Sequence, residues 1–401
     1  MKKIGIYIHV PFCVRKCFYC DFLSFPAGEE ARERYINGLL REIRKESVRY
    51  KEYEADSVFI GGGTPTVLSG EQIRRLMDGL KDGFSFGREP EVTIEANPGT
   101  VDIGKLESCR EAGINRISIG AQSLSDKELA LLGRVHSTED FLEAYSLARK
   151  AGFRNINVDI MAALPGQRTE GYLDGLKRVI DLEPEHISAY SLIVEEGTPF
   201  HDWYGEDGKR RKGIPAHLPS QLPSRLPSHL PSHLPSEEEE REMYEKTGEV
   251  LEAGGYDRYE ISNYAKPGYE CRHNIGYWKR HDYAGFGLGA ASMVDNVRWK
   301  NSADMEKYLR CIEDGFGDAK EEQCVLSIKE QMEEFMFLGL RMTEGVGKDD
   351  FYSAFGRSLE DVYGEVIGKL CGQGLLTDGD RVRLTPYGRD ISNYVMAEFL
   401  W

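Results

Sequence analysis

Over the first 200 residues, short β-branched and apolar runs alternate with longer amphipathic stretches. The runs Ile4–Val10, Ser57–Ile60, Glu91–Glu95, Arg116–Ile119, Asn155–Ile160 and His186–Tyr190 have the length and composition of strands. Helices are predicted near 29–53, 69–82, 102–112, 138–151 and 169–182, with capping signals at Ser69-Gly-Glu and Thr138-Glu-Asp. Strand–helix alternation predicts a parallel sheet, because each next parallel strand is reached through a crossover. Six such units predict an α/β fold, a partial (β/α)6 barrel spanning 1–204.

The second half departs from this rhythm. His217-Leu-Pro-Ser, Gln221-Leu-Pro-Ser, Arg225-Leu-Pro-Ser, His229-Leu-Pro-Ser and His233-Leu-Pro-Ser are five tandem tetrapeptides. Proline at every fourth position excludes a helix or a central strand, so 205–236 reads as a low-complexity, disordered and dispensable insert. A helix is expected from Ser236-Glu237-Glu-Glu-Glu240, whose acidic run suits a helix N-terminus. Residues 237–304 are assigned to completion of the barrel. From 305 the composition turns helical. A helix is expected over Gln331–Leu340, a hairpin around Asp378-Gly379 and a last helix over about 386–400. These predict a small α+β, winged-helix-like C-terminal domain over 305–401.

Composition narrows the function classes. The net charge of −16 argues against nucleic acid as a partner. No apolar run approaches the ~20 residues of a membrane span, and Ile4–Val10 is too short and wrongly flanked for a signal peptide. Eight cysteines at uneven spacing do not make a disulfide framework, and a reducing, cytoplasmic location is expected.

Three of those cysteines, Cys13, Cys17 and Cys20, follow the first strand with the spacing C-x3-C-x2-C. Soft thiolates select zinc, copper(I) or iron–sulfur clusters. Zinc usually takes paired C-x2-C knuckles, and no second knuckle exists here. Three cysteines on one loop suit a [4Fe–4S] cluster with one iron left open. Further polar signatures fall just after strands: Gly61-Gly62-Gly63-Thr64-Pro65, Glu95-Ala-Asn-Pro-Gly99, Gln122 and Asp159. Barrel active sites gather at that rim. The glycines permit close backbone approach to a ligand, and the lack of Gly-Lys-Ser/Thr excludes a P-loop. Glu95 and Asp159 each end an apolar strand and need a partner there, either a salt bridge to Arg116 or Arg134 or a ligand.

Cys13, Cys17 and Cys20, with the context Tyr7-Ile-His-Val-Pro-Phe-Cys13 and Tyr19-Cys20-Asp-Phe22, resemble the radical S-adenosylmethionine (SAM) superfamily and its coproporphyrinogen-III-oxidase-like branch. The resemblance implies the partial radical SAM barrel and a cluster on the three cysteines. It implies SAM held by Gly62, Gly63, Thr64, Glu95, Gln122, Arg134 and Asp159, with Tyr7 and Tyr19 at further SAM-side positions. Arg134 suits the SAM carboxylate because its fork binds bidentately.

His273-Asn274-Ile-Gly-Tyr277-Trp278 has two readings. By residue chemistry alone it is a loop packed on the barrel with His273 hydrogen-bonded. The motif H-N-x-x-Y-W also resembles the HemW family of radical SAM haem chaperones, which implies haem binding with His273 as the haem contact and Tyr and Trp as stacking groups. Phe22 stands where the related oxygen-independent oxidases, HemN, carry a further cysteine, and this favours the chaperone family over that oxidase. The implied partners are haem, a haem-acceptor protein such as a respiratory cytochrome, an electron donor and a second copy in a homodimer.

Overall fold

The structure, a computed structural model, describes residues 1–205, 231, 233–313 and 319–400. The expected insert at 205–236 lies largely outside them. Six parallel strands form the frame: β1 (Lys2–Val10), β2 (Tyr53–Gly62), β3 (Ser85–Ala96), β4 (Arg116–Gln122), β5 (Ile156–Ala162) and β6 (His186–Ser191). Between them run α1 (Glu29–Glu46), α2 (Gly70–Gly83), α3 (Ile103–Glu111), α4 (Asp126–Leu131), α5 (Thr138–Lys150) and α6 (Thr169–Ile180). The short α7 (Pro199–Tyr204) and the long α8 (Glu237–Ala253) follow.

The sheet continues on both sides. Strands β7 (Asp257–Arg258) and β8 (Asn263–Ala265) extend it beyond β6. The short helix α9 (Arg272–Trp278) leads to β9 (Tyr283–Phe286), which pairs parallel with β1. Beyond β9 lie β10 (Ala291–Val294), β11 (Val297–Asn301) and β12 (Lys320–Val325). The sheet is therefore open, with β7 and β12 at its edges among the described residues.

Alternation along each strand explains the layering. In β4, Ile117, Ile119 and Ala121 join the core beneath the helices, while Arg116, Ser118 and Gly120 line the interior. The same phase puts Ile156, Val158 and Ile160 of β5 outward and Asn157 and Asp159 inward. The hydrophobic core thus lies between sheet and helices, and the barrel's concave face is mostly polar. A polar concave face forms where a barrel encloses a ligand rather than packed side chains.

Capping fixes the helix starts. Ser69 and Ser236 each make a reciprocal capping box, with Gln72 and Glu239. The expected cap at Thr138 belongs instead to Ser137, whose Oγ accepts from the Asp140 N–H at 3.2 Å. The helix expected over 29–53 ends at Glu46, and a 3-10 turn at Ser47–Tyr50 hands the chain to β2.

Helix α10 (Met305–Glu313) packs on α1, and β12 closes the sheet edge, so packing does not change at 305 as expected. The second core begins after Val325 and includes Met332, Met336, Phe351, Tyr363, Val382 and Phe399. It is built from α11 (Ile328–Gly339), α12 (Lys348–Phe355), α13 (Leu359–Gly372) and a three-stranded sheet. That sheet comprises β13 (Val346–Gly347), β14 (Leu376–Asp378) and β15 (Arg381–Leu384), the last two forming the expected hairpin. The expected final helix is two, α14 (Pro386–Asp390) and α15 (Ser392–Ala397), separated by Ile391 at φ −114° and ψ 36°.

Candidate cofactor site

The cysteine loop is pinned from several directions. Cys13 N–H donates to Phe25 O at 3.1 Å, and Phe18 N–H donates to Leu132 O at 3.0 Å. Phe18 sits in a small core with Leu132, Leu164, Phe200 and Trp203, so α7 braces the loop from behind. All three cysteines are unpaired and half-buried, and all three face one cavity. Burial raises the Cys13 thiol above its usual range and pushes Cys20 up to about 11. Loading iron therefore displaces protons from this loop. Thr64 Oγ1 donates to Cys13 Sγ at 3.5 Å, and Arg134 Nη1 donates to Cys17 Sγ at 3.6 Å. The Thr64 hydrogen bond works against burial in holding the Cys13 thiol down. Among the described residues, no three His, Cys, Asp or Glu side chains form a site for a single metal ion. A cluster makes a different demand, since it takes one thiolate at each of three irons.

The need for three glycines is steric. A Cβ on Gly61 would stand 2.8 Å from Glu95 Oε2, and one on Gly63 would stand 2.6 Å from Phe12 O. Gly62 has φ +110°, and a Cβ there would lie 2.5 Å from the His9 ring. The loop is thereby pressed against the end of β1. Gly63 N–H donates to Val10 O at 2.9 Å, and Gly62 N–H donates to Glu95 Oε2 at 3.0 Å.

The other expected residues converge on the same cavity. It has a volume of about 540 Å³ and is lined by Tyr19, Gly62, Gly63, Thr64, Glu95, Gln122, Arg134 and Asp159 together with the cysteines. Neither Glu95 nor Asp159 forms an ion pair with Arg116 or Arg134 within the described residues, so the salt-bridge alternative does not hold. Asp159 instead accepts from Asn157 Nδ2 at 2.7 Å and Ser118 Oγ at 3.1 Å. Burial, then the Asp159 charge, pushes the Glu95 carboxyl up to about 7. Gln122 has φ 64°, an uncommon conformation for a non-glycine residue, and accepts from Tyr190 OH at 2.9 Å. Tyr7 does not reach the cavity wall; its hydroxyl meets His9 Nδ1 at 3.0 Å.

Asn97 escaped the sequence reading. Its Oδ1 accepts from Arg134 Nη2, and its Nδ2 donates to Thr64 Oγ1 at 2.8 Å. It thus joins Arg134 to the glycine loop and onward to Cys13. Its place in Asn-Pro-Gly, just past Glu95, was the available signal.

His273 sits apart. It is 3 % exposed and absent from the cavity lining. Its Nδ1 meets Ser57 Oγ at 2.9 Å, its Nε2 meets Tyr277 OH at 2.9 Å, and its ring stacks on Phe59. Burial, then the nearby Arg116 charge, pushes it down to about 3. With both nitrogens engaged, it offers no open lone pair to a haem iron. This is the hydrogen-bonded packing that residue chemistry alone suggested. Trp278 is likewise covered, with the Arg341 guanidinium 4.4 Å from its ring centroid. The motif packs against β2, β3 and α11. Asn274 is the motif residue that lines the cavity.

Comparison with known proteins identifies the family. Residues 7–176 match the radical SAM superfamily model and residues 326–391 the HemN C-terminal domain. The heme chaperone HemW of Bacillus subtilis (strain 168) is 38% identical over 397 residues, covering 98% of each chain. That of Escherichia coli (strain K12) is 34% identical, covering 100% of this chain and 99% of its own. The chain belongs to the HemW family of heme chaperones. Among solved structures, the coproporphyrinogen III oxidase HemN from Escherichia coli superposes with a TM-score of 0.80 over 99% of this chain and 90% of that one. At 22% identity this likeness establishes the fold. Radical SAM membership implies a [4Fe–4S] cluster and SAM, and the donor set of three unpaired cysteines facing a polar cavity fits both. In keeping with the sequence, no helix of the described residues is long and apolar enough to cross a membrane.

Proposed function

We propose that this HemW-family chain binds haem in the cytoplasm and passes it to an acceptor protein. In this reading Cys13, Cys17 and Cys20 carry a [4Fe–4S] cluster. Gly62, Gly63, Thr64, Glu95, Gln122, Arg134 and Asp159 hold SAM, with Tyr19 beside them. A cluster on these cysteines would supply, with an electron donor, the electron for reductive SAM chemistry. The protein's own contribution is positional. The glycine loop offers backbone N–H and C=O groups, Arg134 offers a bidentate fork for a carboxylate, and Glu95 and Asp159 offer acceptors. Phe22, 62% exposed at the cavity mouth, supplies an apolar lip and no fourth thiolate.

The observation that carries this reading is the convergence of the cysteine loop and the SAM-side residues on one cavity, in a chain aligned end to end with proteins named heme chaperones. The test is anaerobic reconstitution followed by titration with haem and a search for coproporphyrinogen III turnover. The expected result is a cluster absorbance lost in Cys→Ala variants, saturable haem binding and no decarboxylation. Turnover to protoporphyrinogen, or a chain that binds no haem, overturns the proposal.

A further inference from the structure

Nearly all polar groups on the barrel's concave face find partners. Asn157 donates to Ser118 Oγ at 2.7 Å and meets His186 Nδ1 at 2.6 Å, and His186 Nε2 meets Tyr259 OH at 2.7 Å. Glu91 accepts from the N–H groups of Arg272 and His273, each at 3.2 Å. Arg116 is the charged exception. It is 2 % exposed, yet its guanidinium makes no hydrogen bond or ion pair with any described residue, and its Nε is buried without a partner. The carboxylates whose charge it feels, Glu91 and Asp159, form no ion pair with it and are engaged by other donors. A full charge held this way is costly. Opposite it in register stands Thr93, whose hydroxyl is also buried and unpaired.

Arg116 lines the same cavity as the cysteines, at the other end of β4. Arg134 Nη2 donates to Gly120 O at 2.8 Å. Gly120 and Arg116 lie four residues apart on the strand, about 13 Å along the backbone. Arg134 is tied to Gly120 and Asn97 near the rim, whereas Arg116 projects into the cavity from the far end of the strand. The geometry points to Arg116 as a second carboxylate-recognition group, deep in the cavity, whose ligand is a propionate of the bound tetrapyrrole. Its unpaired fork supplies the charge-assisted donors that a propionate needs. This assignment rests on the haem-binding reading above.

The test compares the reconstituted full-length chain with its Arg116→Gln and Arg116→Lys variants. Each is titrated with haem, with the haem dimethyl ester and, separately, with SAM. The wild type should bind haem about tenfold to a hundredfold more tightly than the ester. Arg116→Gln should lose that preference, Arg116→Lys should keep part of it, and SAM affinity should not move. Arg116→Lys keeps the cation that Asp159 and Glu95 feel, which separates a change in the fold from the loss of a ligand contact. Equal wild-type affinity for haem and its ester, a wild-type-like haem affinity in Arg116→Gln, or a loss falling on SAM instead each overturns the inference. The ester comparison needs no variant and stands even if one misfolds. No haem binding by the wild type would instead refute the chaperone reading.

Discussion

If Glu95 contacts SAM as proposed, SAM binding should depend on pH near 7, where a carboxyl with the ordinary value of about 4.3 would not titrate. Glu95 lines the cavity, accepts from Gly62 N–H at 3.0 Å, and is pushed up to about 7 by burial and by Asp159. If the ionised form is the one that accepts from SAM, apparent affinity is the intrinsic affinity multiplied by the ionised fraction. With a pKa of about 7, only about a tenth of the protein is competent at pH 6 and about nine-tenths at pH 8. Affinity should therefore fall about tenfold from pH 8 to pH 6, or roughly 1.4 kcal/mol. The sign follows from the raised pKa: protonation on acidification removes the acceptor, so binding weakens as pH falls through 7. Glu95→Gln mimics the protonated form and should bind weakly at all pH values. The ratio of wild-type to Glu95→Gln affinity cancels titration of SAM itself. Isothermal titration of SAM into anaerobically reconstituted protein, at fixed ionic strength between pH 6 and 8, measures that ratio. A ratio flat across this range would refute the reasoning.

Further expectations follow from single contacts. Gly62→Ala places a methyl against the His9 ring at a left-handed φ; it should lower stability by about 1–3 kcal/mol in urea melts and weaken SAM binding more than the same change at the open Gly28. Glu42 is buried among Tyr308 OH (2.7 Å), Gly287 N–H (2.9 Å) and Asn301 Nδ2 (2.6 Å), and burial pushes it up to about 6. Its folded pKa exceeds its unfolded value, so its contribution to stability is greatest in acid and declines by about 1.3 kcal/mol as pH rises from 4.5 to 6. The difference between wild-type and Glu42→Gln melts over that window should carry this slope, and parallel curves would count against it. His273→Ala should cost about 2–3 kcal/mol through the lost Ser57 and Tyr277 bonds and the Phe59 stack. The absorption spectrum of bound haem should not change, and loss of an axial-histidine signature would show the motif opening to ligate iron.

How far the sequence could be read depended on which side of the sheet a residue faces. Outward residues such as Ile117, Ile119, Val158 and Ile160 made the strands legible, because burial under helices requires apolar runs of strand length. The rim residues were legible too, since a cysteine triplet, three glycines and lone carboxylates at strand ends have few structural reasons to coincide. The interior below the rim was harder. Arg116 stands first in its strand, where a charge reads as the end of a loop, and only the register with Thr93 reveals that it points into the barrel. His273 and Tyr277 lie four apart, so a helical reading of that stretch would have put them on one face and suggested their contact. Helix α7 is six residues long beside the repeats, too short for periodicity to register. These misses share a cause. Pattern reports burial against apolar neighbours, whereas the polar interior of an open barrel is defined by partners from different strands. The same interior is where an unpaired guanidinium survives, because a ligand rather than the chain is there to complete it.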